Sequence, residues 1–200
     1  MKFFLALAIM LMTSSAYAGD VQGRMSFTLQ PAYGNGIYGI DIRNEDGKIL
    51  GKTFFGPSGM INLGITDTGV KGWAGGAGAT DLSCAAIREG VSQCSGLIAG
   101  RGSKFTITEE VLNNGKSLLV KGSINHHHFE IKRNVYGTIE VNGRGGMKLK
   151  KQSEGEYSGQ GMLNANMHSR FSADMKTEGN MLEMSGLMMT VFLAAPLTLL

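Results

Sequence analysis

Proline is scarce in this chain, three in 200 residues against thirty glycines. Tryptophan occurs once, at Trp73, and cysteine twice. Long helix-forming runs are missing, because glycine interrupts almost every window that could carry one. Charge is thin as well: 18% of residues are charged, 19 basic against 16 acidic. Each shortage excludes something. Low charge and dispersed apolar residues do not match a disordered polar tail. A nucleic-acid binder needs a concentrated basic face, and the one small cluster, Lys148, Lys150 and Lys151, reads as the solvated face of a strand. No Gly-x-Ser-x-Gly elbow and no His-Glu-x-x-His pair occurs, so the sequence carries no catalytic signature and is read as a non-enzyme. Glu109-Glu110 and Glu154/Glu156, the latter expected to share a strand face, are carboxylate pairs without a partner acid or base.

What is present begins with an address. Lys2 precedes an apolar run from Phe3 to Met12, and Ala16-Tyr17-Ala18 fits the small-x-small rule for cleavage before Gly19. The run is short for a membrane span. Residues 1–18 are therefore expected to be a signal peptide and 19–200 a single exported domain, in the bacterial periplasm or associated with the outer membrane. In that oxidising compartment Cys84 and Cys94 are expected to form a disulfide. The small loop it closes would stabilise by about 2–3 kcal/mol.

Alternation then takes over. Val21, Gly23, Met25, Phe27 and Leu29 fall on one parity, with Gln22, Arg24, Ser26 and Thr28 between them. That is the period of a half-buried strand. Further strands are expected over 37–43, 48–55, 60–65 and 70–74, separated by turns such as Asn35-Gly36 and Asp46-Gly47. Gly72 to Gly78 lacks the Lys-Ser/Thr of a phosphate loop and reads as a glycine-rich strand end, with Trp73 as a core anchor. Ala85 to Gly90 is read as a helical turn inside the disulfide loop.

From Cys94 a hairpin phrase recurs, Gly-x-apolar, a polar tip, then apolar-x-apolar. Gly122-Ser123-Ile124 with Phe129-Glu130-Ile131 is the clearest copy. Others start at Gly96, Gly137 and Gly161, and a last one at Gly186, so the apolar tail Leu187 to Leu200 is read as a closing strand broken at Pro196. The spacing is too uneven for a solenoid. The expected fold is all-β: an antiparallel meander of short hairpin-connected strands forming a curved sheet, barrel or sandwich.

Two candidate metal features are set against ordinary roles. His126 and His128 would share a face of an extended segment, yet they sit at a hairpin tip where solvated histidines are commonplace. Met147, Met162, Met167, Met175, Met181, Met184, Met188 and Met189 could supply soft ligands, with His168 beside Met167, but strand positions make them core filler. No cofactor or metal is assigned. Three function classes remain. The first is an exported envelope β-protein with a binding or structural role, holding a lipid-like apolar ligand or an envelope protein partner. The second is a small integral outer-membrane barrel, against which stand the 8% aromatic content and charges such as Lys121 and Glu130 near strand centres. The third is an exported enzyme whose site is spread over distant loops.

Overall fold

A computed structural model describes residues 22–32, 38–53, 59–66, 68–74, 78–112, 115–163, 169–179 and 186–199. Residues 1–18, the turn expected at Asn35-Gly36, Gly75 to Ala77, Met167, His168, Met181 and Met184 lie outside the described residues. Fourteen strands follow one another among those described. They are β1 (Gly23–Pro31), β2 (Tyr38–Glu45), β3 (Lys48–Thr53), β4 (Gly59–Thr66), β5 (Gly69–Ala74), β6 (Ala79–Arg88) and β7 (Val91–Ile98). The second half continues with β8 (Arg101–Leu112), β9 (Gly115–Ile124), β10 (His127–Arg133), β11 (Thr138–Asn142), β12 (Gly146–Ser153), β13 (Glu156–Met162) and β14 (Arg170–Thr177).

Every strand pairs antiparallel with its sequence neighbour, and β1 pairs with β14 from Met25↔Thr177 to Pro31↔Phe171, so the meander closes into a barrel. An even number of strands is what lets the first and last meet antiparallel. The alternation read from the sequence sets the wall. Met25, Phe27 and Leu29 of β1 are buried, as are Ile40 and Ile42 of β2, Ile139 and Val141 of β11, and Phe171, Ala173 and Met175 of β14. The residues between them face outward.

A barrel of eight strands is filled by its own side chains, whereas one of sixteen leaves a channel. Fourteen strands therefore leave a lumen that the wall residues alone do not fill. The tail fills it. Gly186–Met189 (α1), a π-helical stretch Thr190–Ala194 and Ala195–Leu199 (α2) form one continuous helical run. It carries no charge, and Gly186 to Ala195, Leu197 and Thr198 are all buried, as in a helix with no solvent face. It lies nearest to β9, β10 and β11. The closing strand expected over Leu187 to Leu200 is thus a helix as far as Leu199, Leu200 lying outside the described residues. A continuous apolar run of this kind suits a fully buried strand or a buried helix equally by periodicity, and its length and its Leu, Met and Ala content favour the helix.

The helix satisfies its own buried polar groups. Thr190 and Thr198 are buried, and their hydroxyls donate to the carbonyls of Gly186 and Ala194 at 2.7 Å each, so neither is left unsatisfied. Pro196 has no N–H and its ring would crowd the carbonyl four residues back. The wider turn just before it, where the Ala195 N–H donates to the Thr190 carbonyl, precedes that clash. Gly186 meets the wall so closely that a Cβ would sit 2.5 Å from Val120 Cγ2.

The hairpin of β9 and β10 shows how the wall packs. Phe105 of β8 and Phe129 of β10 both register against Gly122 of β9. Their rings meet at 5.9 Å between centroids, tilted by 58°. A Cβ on Gly122 would lie 2.0 Å from that of Phe105, so glycine is the residue this contact requires.

Other expectations change. Ala85 to Arg88 continues β6 rather than forming a helical turn, with a register shift between Ala86 and Arg88 before the turn at Glu89-Gly90. The hydrogen-bonded partner supplied by β7 overrides local preference there. Trp73 points outward from β5 and is 51% exposed, so it is not a core anchor. Its neighbours Gly72 and Ala74 share the opposite parity, and period two leaves it no choice. Glu154 sits in the turn before β13 and Glu156 opens that strand, so the pair shares no strand face. Cys84 and Cys94 are directly opposite on β6 and β7 with their sulfurs bonded and Cα atoms 4.0 Å apart.

Candidate functional site

The lumen is the first place to look for a ligand in a barrel, and here it is occupied by protein. Wall and helix form one apolar cluster in which Leu63, Val120, Ile131, Ala173, Leu193 and Leu197 are all within 2% of complete burial. A lipid-like molecule would have to displace the helix to enter. Met147, Met175, Met188 and Met189 belong to this core, while Met162 faces outward. That is the packing role of methionine.

The histidines at the β9–β10 tip do not form the shared face expected of an extended segment. Asn125 and His126 are the two central residues of a two-residue turn, with φ of 49° and 67°. His127 pairs with Ile124 and His128 with Ser123, so His126 lies in left-handed backbone off the strand. Among the described residues no group of three or more His, Cys, Asp or Glu is placed to hold a metal ion.

The outer face carries the remaining chemistry. It is studded with ion pairs, four of them cross-strand: Arg24–Asp41 at 2.6 Å, Lys71–Asp81 at 3.5 Å, Lys121–Glu130 at 3.1 Å and Lys176–Glu156 at 3.1 Å, with Lys132 reaching the same Glu130 at 2.7 Å along β10. The hydrogen bonds from Arg24 hold the Asp41 carboxyl below its ordinary range, and Lys132, with Lys121, does the same for Glu130. Burial pushes the Tyr157 phenol up. Mid-strand charges facing outward are the reverse of the apolar band a lipid-facing barrel presents. No helix among the described residues is long and apolar enough to cross a membrane, which says nothing of strands.

Parts of this face are concave. An open groove of about 1230 Å³ lies over β11 to β14 and β1. Sheet register builds its floor: Glu140 stands opposite Lys148, Lys148 opposite Gln160, Gln160 opposite Ser172 and Ser172 opposite Gln30. One outward side chain per strand thus forms a polar row across five strands. Asn142, Met162 and Arg170 flank the row on one side, and Arg144 joins them from the loop between β11 and β12. Glu140 is neutralised by an ion pair with Lys148. Arg144 and Arg170 are exposed and have no ion-pair partner among the described residues.

In the sequence Lys148 stands out only as part of a basic cluster and Met162 only as a possible soft ligand, and Gln30, Gln160, Arg144 and Arg170 do not stand out at all. The signal was present as period two in each strand, but the row exists only once five strands are placed in register. Comparison with protein-family models, with curated proteins and with solved structures finds no match for this chain.

Proposed function

We propose that this protein is an exported, non-catalytic β-barrel of the bacterial cell envelope whose binding surface is its outer wall rather than its lumen. The observation that carries the reading is the pairing of a self-filled interior with a polar exterior. Lipid carriers of barrel form keep an interior cavity for the ligand. Here the chain's own C-terminal helix occupies that volume, which favours a structural or partner-binding role over carriage of an apolar ligand. The ion pairs along the outward strand faces, with Lys121–Glu130 well inside β9 and β10, favour a barrel bathed in water over one embedded in lipid. The leader over residues 1–18 supports export, and the bonded Cys84–Cys94 pair suits an oxidising compartment.

The test is the content and partition of the native protein. Purified from cell envelopes, it is expected to carry no stoichiometric lipid by extraction and mass spectrometry. It is also expected to leave the membrane pellet on carbonate washing. One bound lipid per chain would replace this reading with the carrier, and retention in the pellet would replace it with the integral barrel.

A further inference from the structure

We infer that the groove over β11 to β14 and β1 is a binding site for an acidic saccharide, gripped by Arg144 and Arg170. The inference rests on the reading of the outer wall as the working surface and names what that surface takes.

Charge gives the first argument. Within the groove the single carboxylate, Glu140, is already paired with Lys148. The guanidinium groups of Arg144 and Arg170 are left without ionic partners among the described residues, in a chain that is otherwise close to neutral. Guanidinium groups present forked donors that match carboxylate and phosphate oxygens. An anionic ligand is the complement of this site.

The floor gives the second argument. Gln30, Gln160 and Asn142 each carry a carboxamide that both donates and accepts, and Ser172 does the same with its hydroxyl. Sugar hydroxyls have that same double character, whereas a fatty acyl chain offers nothing to such a row. Met162, 38% exposed at the groove margin, supplies an apolar contact for the C–H face of a ring.

Dimension gives the third. Neighbouring strands are about 4.8 Å apart, so the row from Glu140 to Gln30 spans about 19 Å in four steps. Each step is comparable to the repeat of an extended β-linked pyranose chain. A saccharide lying across the strands would meet one polar side chain per sugar. The groove is open to solvent, as a site for a chain crossing the wall would be. A duplex nucleic acid is a poor fit, because two arginines do not make the broad basic face it needs.

The experiment is calorimetric titration of the full mature protein with a β-1,4-linked hexamannuronate, with the neutral mannohexaose of the same linkage as comparison. Binding of the acidic hexamer is expected, at least tenfold tighter than the neutral one, and weakening as salt is raised. Arg144→Ala and Arg170→Ala are each expected to weaken it by about tenfold. Lys104→Ala, on the exposed face of β8 outside the groove, is expected to change nothing. Melting temperatures check that the variants remain folded. Vesicles of phosphatidylglycerol form the last arm and distinguish a sugar ligand from an anionic lipid surface. The assignment is overturned by absence of binding to the hexamer, by equal binding of mannohexaose, by insensitivity to both arginine changes, or by vesicle binding alone. Any of these leaves the exported barrel standing, since that is decided by lipid content and membrane partition.

Discussion

The barrel wall and the helix inside it are both apolar where they touch, yet they differ in having an outside. Each wall strand buries one parity and exposes the other, so its sequence alternates and half of its positions tolerate charge. The helix has no exposed face, so its sequence carries neither alternation nor a polar stripe. Half-burial writes a period into a sequence and complete burial erases it. The two regions also depend on each other unequally. Thirteen of the fourteen strand junctions are local hairpins, while the helix reaches its place only when the wall surrounds it.

The sharpest way to break this comparison is to remove the helix. A chain ending before Gly186 would leave the inner faces of fourteen strands without their filler. Several fully buried side chains go at once, each worth about 2–5 kcal/mol. Their sum exceeds the whole stability of an ordinary domain, about 5–15 kcal/mol. The truncated protein is expected to lose its cooperative thermal transition and to bind a hydrophobic dye. A sharp transition at a similar temperature would mean that the wall supports an empty lumen, and the helix would then be a removable plug.

A wall position facing inward should cost less. Phe129 packs against Phe105 over Gly122 and is 4% exposed. Phe129→Ala is expected to lower stability by about 3–5 kcal/mol in a urea titration, with the transition still cooperative. A loss below about 1 kcal/mol would mean that the ring is not part of the core it occupies in this packing.

These particulars show what a reader of the sequence could see. Met25, Phe27 and Leu29 announce β1, and Gly122 to Ile131 announces the β9–β10 hairpin, because both signals are local. The pairing of Met25 with Thr177 is not local, and nothing in either strand's pattern names its partner. Closure, strand number and therefore the need for a filler were beyond reach. The tail imitates a strand for a related reason: the Gly186 phrase repeats the hairpins before it, and only its unbroken length and its Leu, Met and Ala content speak for a helix. The groove was hidden because Gln30 and Gln160 are unremarkable until register sets Ser172 between them.

The hairpin tip offers a smaller effect of opposite sign. His126 holds φ of 67° as the second central residue of a two-residue turn after Asn125. Asn-Gly is the favoured pair for such a turn, because glycine enters left-handed backbone without the steric cost a side chain carries there. Glycine also loses more freedom on folding, so the net gain is modest. His126→Gly is expected to raise stability by about 0.5 kcal/mol. A clear loss would show that the imidazole makes a contact worth more than the strain, and the case for a histidine site would reopen.

The least costly change belongs on the wall's outside, where the helix has no counterpart. Arg24 and Asp41 pair across β1 and β2 with both side chains well exposed. The hydrogen bond from Arg24 lowers the Asp41 pKa, so the pair favours the folded state when Asp41 is ionised. That contribution is present above the ordinary carboxylate pKa of about 4 and fades as pH falls through the lower folded value. Arg24→Gln should therefore bring the Asp41 titration, followed by carboxyl NMR, back up toward the ordinary range. The small difference in urea midpoint between variant and parent should be seen at neutral pH and close under acid. Solvent screening keeps it small, because exposed pairs contribute little. A large loss would mean that the outer pairs, and not only the filled lumen, hold the wall closed. A carboxylate titration unmoved by the substitution would mean that Arg24 and Asp41 do not meet in solution.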